Sequence, residues 1–228
     1  MTASGNNSPE LKQAATAGQI DEVRRLLGDG ADVNSVGEYG AGTLLTRSRE
    51  VMDCLLGHGA DPNAQQNEIG LSVLAGVVYW AEPQLVDLLI QHGADPNRAD
   101  TVTGIGALHR AVTRNTPAHR EIVDMLLEAG ADPNAATKPG EIDFGYDTPV
   151  RTRGETPLHL AAIRAGSATI DALLRHGAER TGQDANGDTP AAWAGLAGRP
   201  HEICQLLTTD AMRAESRSVF WSRTKRAR

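Results

Sequence analysis

The side chains of this chain that could carry out chemistry are mainly histidines and aspartates, and one acidic cluster has a suggestive spacing. Asp184, Asn186 and Asp188 alternate as the oxygen ligands of a calcium-binding loop do. However, Thr189 occupies the position of the required glycine, and Gly195 occupies that of the bidentate glutamate. The spacing therefore does not predict a calcium site.

A second match to a catalytic motif lies further upstream. Asp143-Phe144-Gly145 is identical to the magnesium-binding motif of protein kinases, but no glycine-rich loop or His-Arg-Asp catalytic loop accompanies it. The sequence also contains no Gly-x-Ser-x-Gly motif, no Cys-x-x-Cys pair and no phosphate-binding loop. We therefore expect no enzymatic activity, no metal site and no cofactor.

Most of the histidines occupy two recurring places in the sequence. His58, His92 and His176 each precede a glycine that follows a leucine pair, whereas His109 and His159 occupy equivalent places in another recurring segment. Neighbouring helices pack about 8–10 Å apart and zinc–ligand distances are about 2 Å, so equivalent residues of successive copies cannot share one ion. We expect these histidines to have structural roles.

The first of these places belongs to a phrase that the chain repeats five times. The copies are LLGDGADVN at 26–34, LLGHGADPN at 55–63, LLIQHGADPN at 88–97, LLEAGADPN at 126–134 and LLRHGAER at 173–180. A leucine pair followed by Gly-Ala-Asp predicts a helix that ends at a glycine and continues into a tight turn. From glycine to glycine the steps are 29, 34, 37 and 47 residues, and a repeat of this period determines the architecture.

A second signature precedes four of the leucine pairs. It reads GLSVLAGVV at 70–78, GIGALHRAV at 104–112, GETPLHLAA at 154–162 and GDTPAAWAG at 187–195. Threonine or serine at the cap and proline at the first helical position predict the start of another short helix. Because both signatures recur in a fixed order with a period of about 33 residues, the chain resembles the ankyrin-repeat family over roughly residues 9–209.

The resemblance implies an all-α solenoid of about six helix-turn-helix repeats with projecting finger loops. We place the repeats near 9–34, 35–63, 64–97, 98–134, 135–180 and 181–209, between a flexible amino terminus (1–8) and a basic tail (210–228). In the second repeat, GTLLTRS stands where a first helix belongs, so that helix is expected to be very short or distorted. In the family, the Thr and His of the TPLH sequence hydrogen-bond locally, which implies the same role for Thr156 and His159.

Composition limits the range of functions. Residues 1–209 hold 16 basic and 27 acidic side chains, and this acidic body repels nucleic acid and favours a basic protein partner. The longest apolar run, at 73–81, is shorter than the ~20 residues that cross a bilayer, and no amino-terminal signal segment is recognised. We expect a cytoplasmic monomer that does not bind nucleic acid. The basic residues comprise 19 arginines and only three lysines, which suggests a bacterial genome.

The tail at 210–228 differs from the body in charge. It holds six basic and two acidic side chains together with Phe220 and Trp221. We interpret it either as a mobile terminus or as a segment that binds the acidic body or another anionic surface.

The longest insertion lies in the fifth repeat, at 135–153. It far exceeds the roughly six residues that the repeat requires, and in the family such fingers project toward the concave face. The insertion contains Phe144 and Tyr146 and ends with Arg151 and Arg153. Tyrosine and arginine are enriched at binding hot spots, so we predict that this finger binds a partner. The alternative is that the finger is disordered or packs on itself.

The other candidate binding residues lie on the first helices of the repeats, at positions that face the concave groove in the family. They are Tyr79 and Trp80 in the third repeat, Arg110, Thr113 and Arg114 in the fourth, Leu160, Ile163 and Arg164 in the fifth, and Trp193 in the sixth. Two aromatic residues beside a strip of arginines suit a peptide with one hydrophobic and one acidic residue. Alternatively, Tyr79 and Trp80 fill the space left by the degenerate second repeat, and Trp193 belongs to the terminal cap.

These features predict a non-catalytic scaffold that binds another protein through the concave groove and the long finger. An inhibitor or immunity protein for a basic partner is one version of this function. The alternative is an enzyme or small-molecule-binding protein with a site under the finger, where Asp143, Asp147 and Glu155 supply polar groups and Phe144 and Tyr146 form a lid. An enclosed pocket with convergent polar groups favours this alternative, whereas an open groove favours protein binding.

Overall fold

A computed structural model of the chain describes residues 8–34, 43–64, 70–143 and 150–209, and these residues form a stack of helices. The helices are α1 (Ser8–Thr16), α2 (Ile20–Gly28), α3 (Arg49–Gly57), α4 (Val73–Tyr79), α5 (Pro83–Gln91), α6 (Ala107–Ala111), α7 (Pro117–Glu128), α8 (Pro157–Arg164), α9 (Ser167–Arg175), α10 (Pro190–Leu196) and α11 (His201–Leu207). Between α7 and α8, the strands β1 (Ile142–Asp143) and β2 (Val150–Arg151) form an antiparallel hairpin. In the described ranges, no helix combines the length and the apolar character that crossing a membrane requires.

The helices lie in two layers. Helices α4, α6, α8 and α10 contact one another in that order and form the inner layer. Helices α2, α3, α5, α7, α9 and α11 follow one another in the same way and form the outer layer. The predicted all-α solenoid is thus confirmed, and the hairpin is a local addition within the long finger.

One continuous apolar core runs between the two layers. Each copy of the repeated phrase contributes at least one fully buried leucine to it, namely Leu26, Leu55, Leu89, Leu126 and Leu173. Small residues of the inner helices, such as Ala111, Ala161 and Ala162, are also fully buried, which lets neighbouring helices approach closely. The core depends on contacts between successive copies, as it must in a stack of units too small to fold alone.

The glycine and the asparagine of the repeated phrase form the turns and connect one copy to the next. The glycine takes a positive φ, +85° at Gly93 and +92° at Gly177, which a residue without Cβ adopts at little cost. The asparagine binds the following copy: Asn97 Nδ2 donates to the carbonyl of Gly130 (2.9 Å), and its Oδ1 accepts from the N–H of Asp132 (2.7 Å). Equivalent pairs of bonds are made by Asn34, Asn63 and Asn134.

Two buried histidines connect the repeats in a similar way. His159 Nδ1 accepts from the N–H of Thr156 (3.2 Å), and its Nε2 donates to the carbonyl of Asp188 in the next repeat (3.0 Å). His109 makes the equivalent bonds, including one to the carbonyl of Ala135 at 3.0 Å. The local bond predicted for Thr156 and His159 is confirmed. Burial lowers the pKa of His109 to about 4 and also lowers the pKa of His159.

The second repeat has turns and no helix across residues 43–48. Leu44 is nevertheless 2 % exposed and belongs to the core. Leu45 lies against Gly76 of α4, where an added Cβ would stand only 3.0 Å from the leucine Cδ2. The predicted distortion of this repeat is confirmed, because two leucines on a turn occupy the place of the missing helix.

Candidate functional site

A pocket of about 360 Å³ lies on the exposed side of the inner layer, beside the base of the long finger. We call it the finger pocket. Its lining residues are Thr113, Arg151, Arg153, Glu155, Leu160, Ile163, Arg164, Trp193, Leu196 and Ala197. They come from the end of α6, from the finger, and from helices α8 and α10, so the pocket exists only where three successive repeats meet.

Helices α8 and α10 supply the apolar wall of the finger pocket. Leu160 and Ile163 stand three residues apart on α8, and Trp193 and Leu196 have the same spacing on α10, which puts each pair on one helix face. Leu196 is 81 % exposed. Tryptophan and arginine, which meet here, are residue types enriched at binding hot spots.

The ring of Trp193 is held in place by three contacts. Its Nε1 donates to Asp184 Oδ2 at 3.1 Å, and the ring of His159 meets it edge-on with centroids 5.4 Å apart. The guanidinium carbon of Arg153 stands 5.9 Å from the centroid of the tryptophan ring, within the range of a cation–π interaction. The tryptophan therefore loses little side-chain freedom when a ligand binds beside it.

Asp184, the first residue of the calcium-like spacing, caps a turn. Its Oδ1 accepts hydrogen bonds from the backbone N–H groups of Asn186 and Asp188, both at 2.9 Å. Burial raises the pKa of Asp184, but these bonds and the bond from Trp193 outweigh it, so the pKa lies below its ordinary value. Across the part of the chain that the structure describes, no three His, Cys, Asp or Glu side chains are grouped so that they could hold a metal ion.

The base of the finger is organised around one carboxylate. Glu155 is 5 % exposed, and its Oε2 accepts from Thr137 Oγ1 (2.9 Å) and from the backbone N–H of Arg153 (2.5 Å). The backbone N–H of Thr137 donates in turn to the carbonyl of Glu155 at 3.1 Å. The Glu155 carboxylate thus joins the two ends of the finger at its base.

The finger is also fastened to its neighbours on both sides. The Lys138 backbone N–H donates to the carbonyl of Thr103 (2.7 Å), and its Nζ donates to that of Thr101 (2.6 Å). On the other side, the N–H of Ala185 donates to the carbonyl of Arg153 at 2.6 Å. The arginines that end the finger therefore start from a backbone that is fixed by hydrogen bonds.

Three of the predicted arginines come together in the finger pocket. Arg151 and Arg153 reach it from the finger, and Arg164 reaches it from the end of α8. All three are exposed, and Arg151 Nη1 also donates to the carbonyl of Gly140 at 2.5 Å. The long finger and the inner helices thus contribute cations to one site.

Tyr79 and Trp80 are adjacent in sequence but have different surroundings. Tyr79 is 54 % exposed, and the guanidinium carbon of Arg114 stands 5.2 Å from its ring centroid. Trp80 is partly buried against the core and lies 5.3 Å from the guanidinium carbon of Arg47, which belongs to the turn of the second repeat. Trp80 therefore covers the degenerate repeat, whereas Tyr79 extends the exposed inner face. Arg110 lies half-buried on α6.

Tyr79 and Arg114 lie beside the finger pocket along the inner layer, because Arg114 contacts Tyr79 and because helices α4, α6 and α8 contact one another in that order. Tyr79, Thr113 and Arg164 lie at the carboxyl ends of these three helices, and Thr113 and Arg164 line the pocket. We call the surface from Tyr79 through Arg114 to the finger pocket the inner strip. It crosses helices α4, α6, α8 and α10, which are spaced by about 8–10 Å, so the strip is about 25 Å long.

Several predicted features lie outside the described residues. They are Phe144, Tyr146 and Asp147 of the finger, residues 1–7 of the amino-terminal segment, and the tail at 210–228. The side chain of Asp143 is outside them as well. The described part of the predicted site therefore consists of the two finger arginines and the inner helices.

Two lining residues of the finger pocket, Leu196 and Ala197, were not among the residues predicted to bind. The signal that could have found them is the helical spacing from Trp193, because a residue three positions along α10 must share its face. Glu155 was predicted only as a polar group of the alternative small-molecule site, and it does line this pocket.

A second pocket, of about 510 Å³, lies on the outer layer between α7 and α9. Its lining residues are Pro117, Arg120, Glu121, Asp124, Met125, Glu128, Ala168, Thr169 and Arg175. Two arginines here face three carboxylates, so this pocket lacks the excess of cations that the finger pocket has. It provides a control surface for experiments on the inner strip.

Comparison with known protein families identifies the repeats. The family model described as "Ankyrin repeats (3 copies)" matches residues 41–137, and the model described as "Ankyrin repeat" matches residues 153–185. Together they cover more than half of the chain. The interval between the two matches, 138–152, lies within the long finger.

Similar curated proteins and a similar solved structure agree with this assignment. The chain is 38% identical over 66 residues to the bovine cyclin-dependent kinase 4 inhibitor B (28% of the chain and 50% of that protein) and 40% identical over 62 residues to the rat protein (26% and 48%). It thus spans about half the length of these relatives. An ankyrin repeat domain from Acinetobacter baumannii AYE has the same fold, with a TM-score of 0.71, 24% identity, and coverage of 87% of this chain and 95% of that domain.

Proposed function

The chain belongs to the ankyrin-repeat family, and we propose that it is a non-catalytic scaffold that binds an extended segment of another protein along the inner strip. The observation that carries this proposal is the finger pocket, where the exposed Leu196, three half-buried apolar side chains and three exposed arginines form one open surface. Aromatic residues and arginines at the centre of a surface are typical of binding hot spots. At about 3.3 Å per residue, a strip about 25 Å long accommodates roughly eight residues of extended chain.

The similar curated proteins support a protein as the ligand. By their names they are inhibitors of cyclin-dependent kinase 4, which is itself a protein. In this chain, the acidic composition, with a net charge of −7, attracts a basic partner at long range. The arginines of the inner strip act at short range, so we expect the bound segment to differ in charge from the rest of its protein.

An open surface favours this function over an enzyme or a small-molecule-binding protein. Leu196 and the three arginines of the finger pocket are exposed, whereas small-molecule sites bury most of the ligand surface. Among the described lining residues, Glu155 is the one carboxylate, and its hydrogen bonds to Thr137 and Arg153 assign it to the base of the finger. Thermal unfolding in the presence of a metabolite library tests the alternative, which a saturable stabilisation by one compound would support.

The proposed function is tested by placing a photoreactive side chain on each face. Ile163 in the finger pocket and Met125 in the outer pocket are replaced in turn by benzoylphenylalanine, and lysate of the source organism is irradiated with each variant. We expect a discrete cross-linked polypeptide from position 163 and none from position 125. The purified partner should then bind the unmodified chain directly, and Leu196→Asp should weaken that binding at least tenfold. Equal cross-linking from both faces would contradict the proposal.

A further inference from the structure

We propose that the finger pocket is specific for an acidic segment that carries one large apolar side chain. The apolar side chain occupies the space between α8 and α10, and the neighbouring carboxylates pair with Arg151, Arg153 and Arg164. This inference rests on the proposed function and narrows it to the chemistry of the bound segment.

The charge of the finger pocket is opposite to that of the chain. The chain has a net charge of −7, yet three guanidinium groups and one carboxylate line this pocket. Among the side chains that the structure describes, which do not include those of Asp143 and Asp147 in the finger, no ion pair joins these three arginines to a carboxylate. The three guanidinium groups repel one another. An anion that binds among them reduces this repulsion and is itself attracted to the three positive charges.

The arginines are arranged to meet carboxylates. A guanidinium group can donate two parallel hydrogen bonds to one carboxylate, which an ammonium group cannot do with the same geometry. Arg153 is already held over the ring of Trp193, and Arg151 is held at the base of the finger by its bond to Gly140. Little side-chain freedom is therefore lost when a carboxylate binds to either residue.

The apolar part of the finger pocket determines the second feature of the ligand. A volume of about 360 Å³ corresponds to roughly a dozen water molecules at liquid density. The side chains of Leu160, Ile163 and Leu196 have no hydrogen-bonding atoms, and the N–H of the Trp193 indole already donates to Asp184. An apolar side chain that binds there is therefore stabilised in proportion to the apolar area that it buries.

Two other occupants fit the observations less well. Nucleic acid would present phosphates to the same arginines, but the acidic body repels a long polyanion. The chain's own tail, 210–228, holds six basic and two acidic side chains, so the arginines of the pocket repel it. A short acidic segment of a protein is consistent with both the local cations and the acidic surroundings.

The proposal is tested with four fluorescein-labelled probes and the full chain, using fluorescence anisotropy at low and high salt. The first probe is a dodecapeptide with one phenylalanine flanked by glutamates. In the second the glutamates are replaced by lysines, in the third the phenylalanine is replaced by serine, and the fourth is a twelve-nucleotide single-stranded DNA. We expect the first probe to bind at least tenfold more tightly than each of the others and to weaken as salt rises.

Variants assign the binding to the finger pocket. Arg164→Glu and Leu196→Ser change exposed side chains, so both should fold normally, as circular dichroism will show, and each should weaken the first probe at least tenfold. Arg175→Glu in the outer pocket is the matched control and should change its affinity less than twofold.

The outcomes separate this inference from the proposed function. Tighter binding of the lysine peptide or the DNA, or equal binding of the serine peptide, would overturn the proposal that the pocket prefers an acidic segment with an apolar side chain. The same holds if neither pocket variant weakens binding, or if no probe binds. The scaffold function is judged by cross-linking from position 163 and stands or falls independently of these peptides.

Discussion

The buried histidines make the stability of the stack depend on pH, and His109 should dominate this dependence. Its ring is 2 % exposed, accepts from the N–H of Gly106 and donates to the carbonyl of Ala135. The bond to Ala135 requires a proton on Nε2, and the bond from Gly106 requires that Nδ1 carry none, so the two together need the neutral ring. Protonation of Nδ1 would break the bond from Gly106 and place a charge in the core.

The sign and the size follow from the pKa values. Burial lowers the pKa of His109 from 6.5 to about 4 in the folded chain, so between these values the unfolded chain binds a proton that the folded chain does not. The stabilisation is complete above about pH 6.5 and is lost as the pH falls toward 4. Between pH 7.5 and pH 5.0, this one residue should cost about 2 kcal/mol of the free energy of unfolding.

Urea unfolding followed by circular dichroism at a series of pH values measures this effect. The comparison is between the natural chain and His109→Gln, whose neutral amide does not titrate, with His201→Gln on the exposed face of α11 as the matched control. Other groups with shifted pKa values, such as His159 and Asp184, are present in all three proteins and cancel. For a urea m-value of about 2 kcal/mol/M, titration of His109 should lower the urea midpoint of the natural chain and of the control by about 1 M between pH 7.5 and pH 5.0. This contribution should be absent from His109→Gln.

A role of the His109 proton in stability is refuted if His109→Gln retains the full pH dependence of the natural chain. It is equally refuted if His201→Gln loses as much of that dependence as His109→Gln does. A lower stability of His109→Gln at every pH would still agree with this role, because only the change in unfolding free energy between pH 7.5 and pH 5.0 measures proton binding to His109.

Other predictions concern the fold, and each can be measured by urea unfolding at pH 7.5. Asn97→Ala removes the two hydrogen bonds to the next repeat and should cost about 1–3 kcal/mol; an unchanged midpoint would mean that water replaces both bonds without loss. Ala81, with φ +59°, and Gly198, with φ +62°, occupy turns between paired helices, so Ala81→Gly should stabilise the chain by up to about 1 kcal/mol and Gly198→Ala should destabilise it by a similar amount. Effects of the same sign in these two variants would contradict the role of the left-handed conformation. Leu44→Ala should cost about 2–5 kcal/mol, and a cost below 1 kcal/mol would show that the turn of the second repeat does not carry core packing.

The repeated phrases predict most of the fold because their functions are local. A leucine pair needs only its own helix to face the core, and the glycine needs only its own backbone angle, so both can be recognised in a single copy. The same logic identified His109 and His159 as structural residues. The bond that each makes to a following repeat could not be predicted, because its partner is a backbone carbonyl that carries no sequence signal.

Some of the residues that line the finger pocket were also selected from the sequence. Arg151, Arg153 and Arg164 were singled out from the insertion and from the groove positions, and the structure places them in one pocket. The predicted apolar anchor at Tyr79 and Trp80 lies outside this pocket, whose apolar wall consists of Leu160, Ile163, Trp193 and Leu196. The two aromatic residues are separated because neighbours on a helix point in different directions, and Trp80 lies against Arg47 while Tyr79 lies against Arg114.

By itself, the sequence determined the family, the order of the helices and turns, and the place where this chain departs from a regular stack. These are consequences of short-range backbone and packing preferences that recur about every 33 residues. The tertiary structure alone decided which side chains meet in the finger pocket and that its charge is positive in an acidic protein. Those properties depend on contacts between repeats about 30–40 residues apart, and the composition of the whole chain cannot report the charge of one small surface.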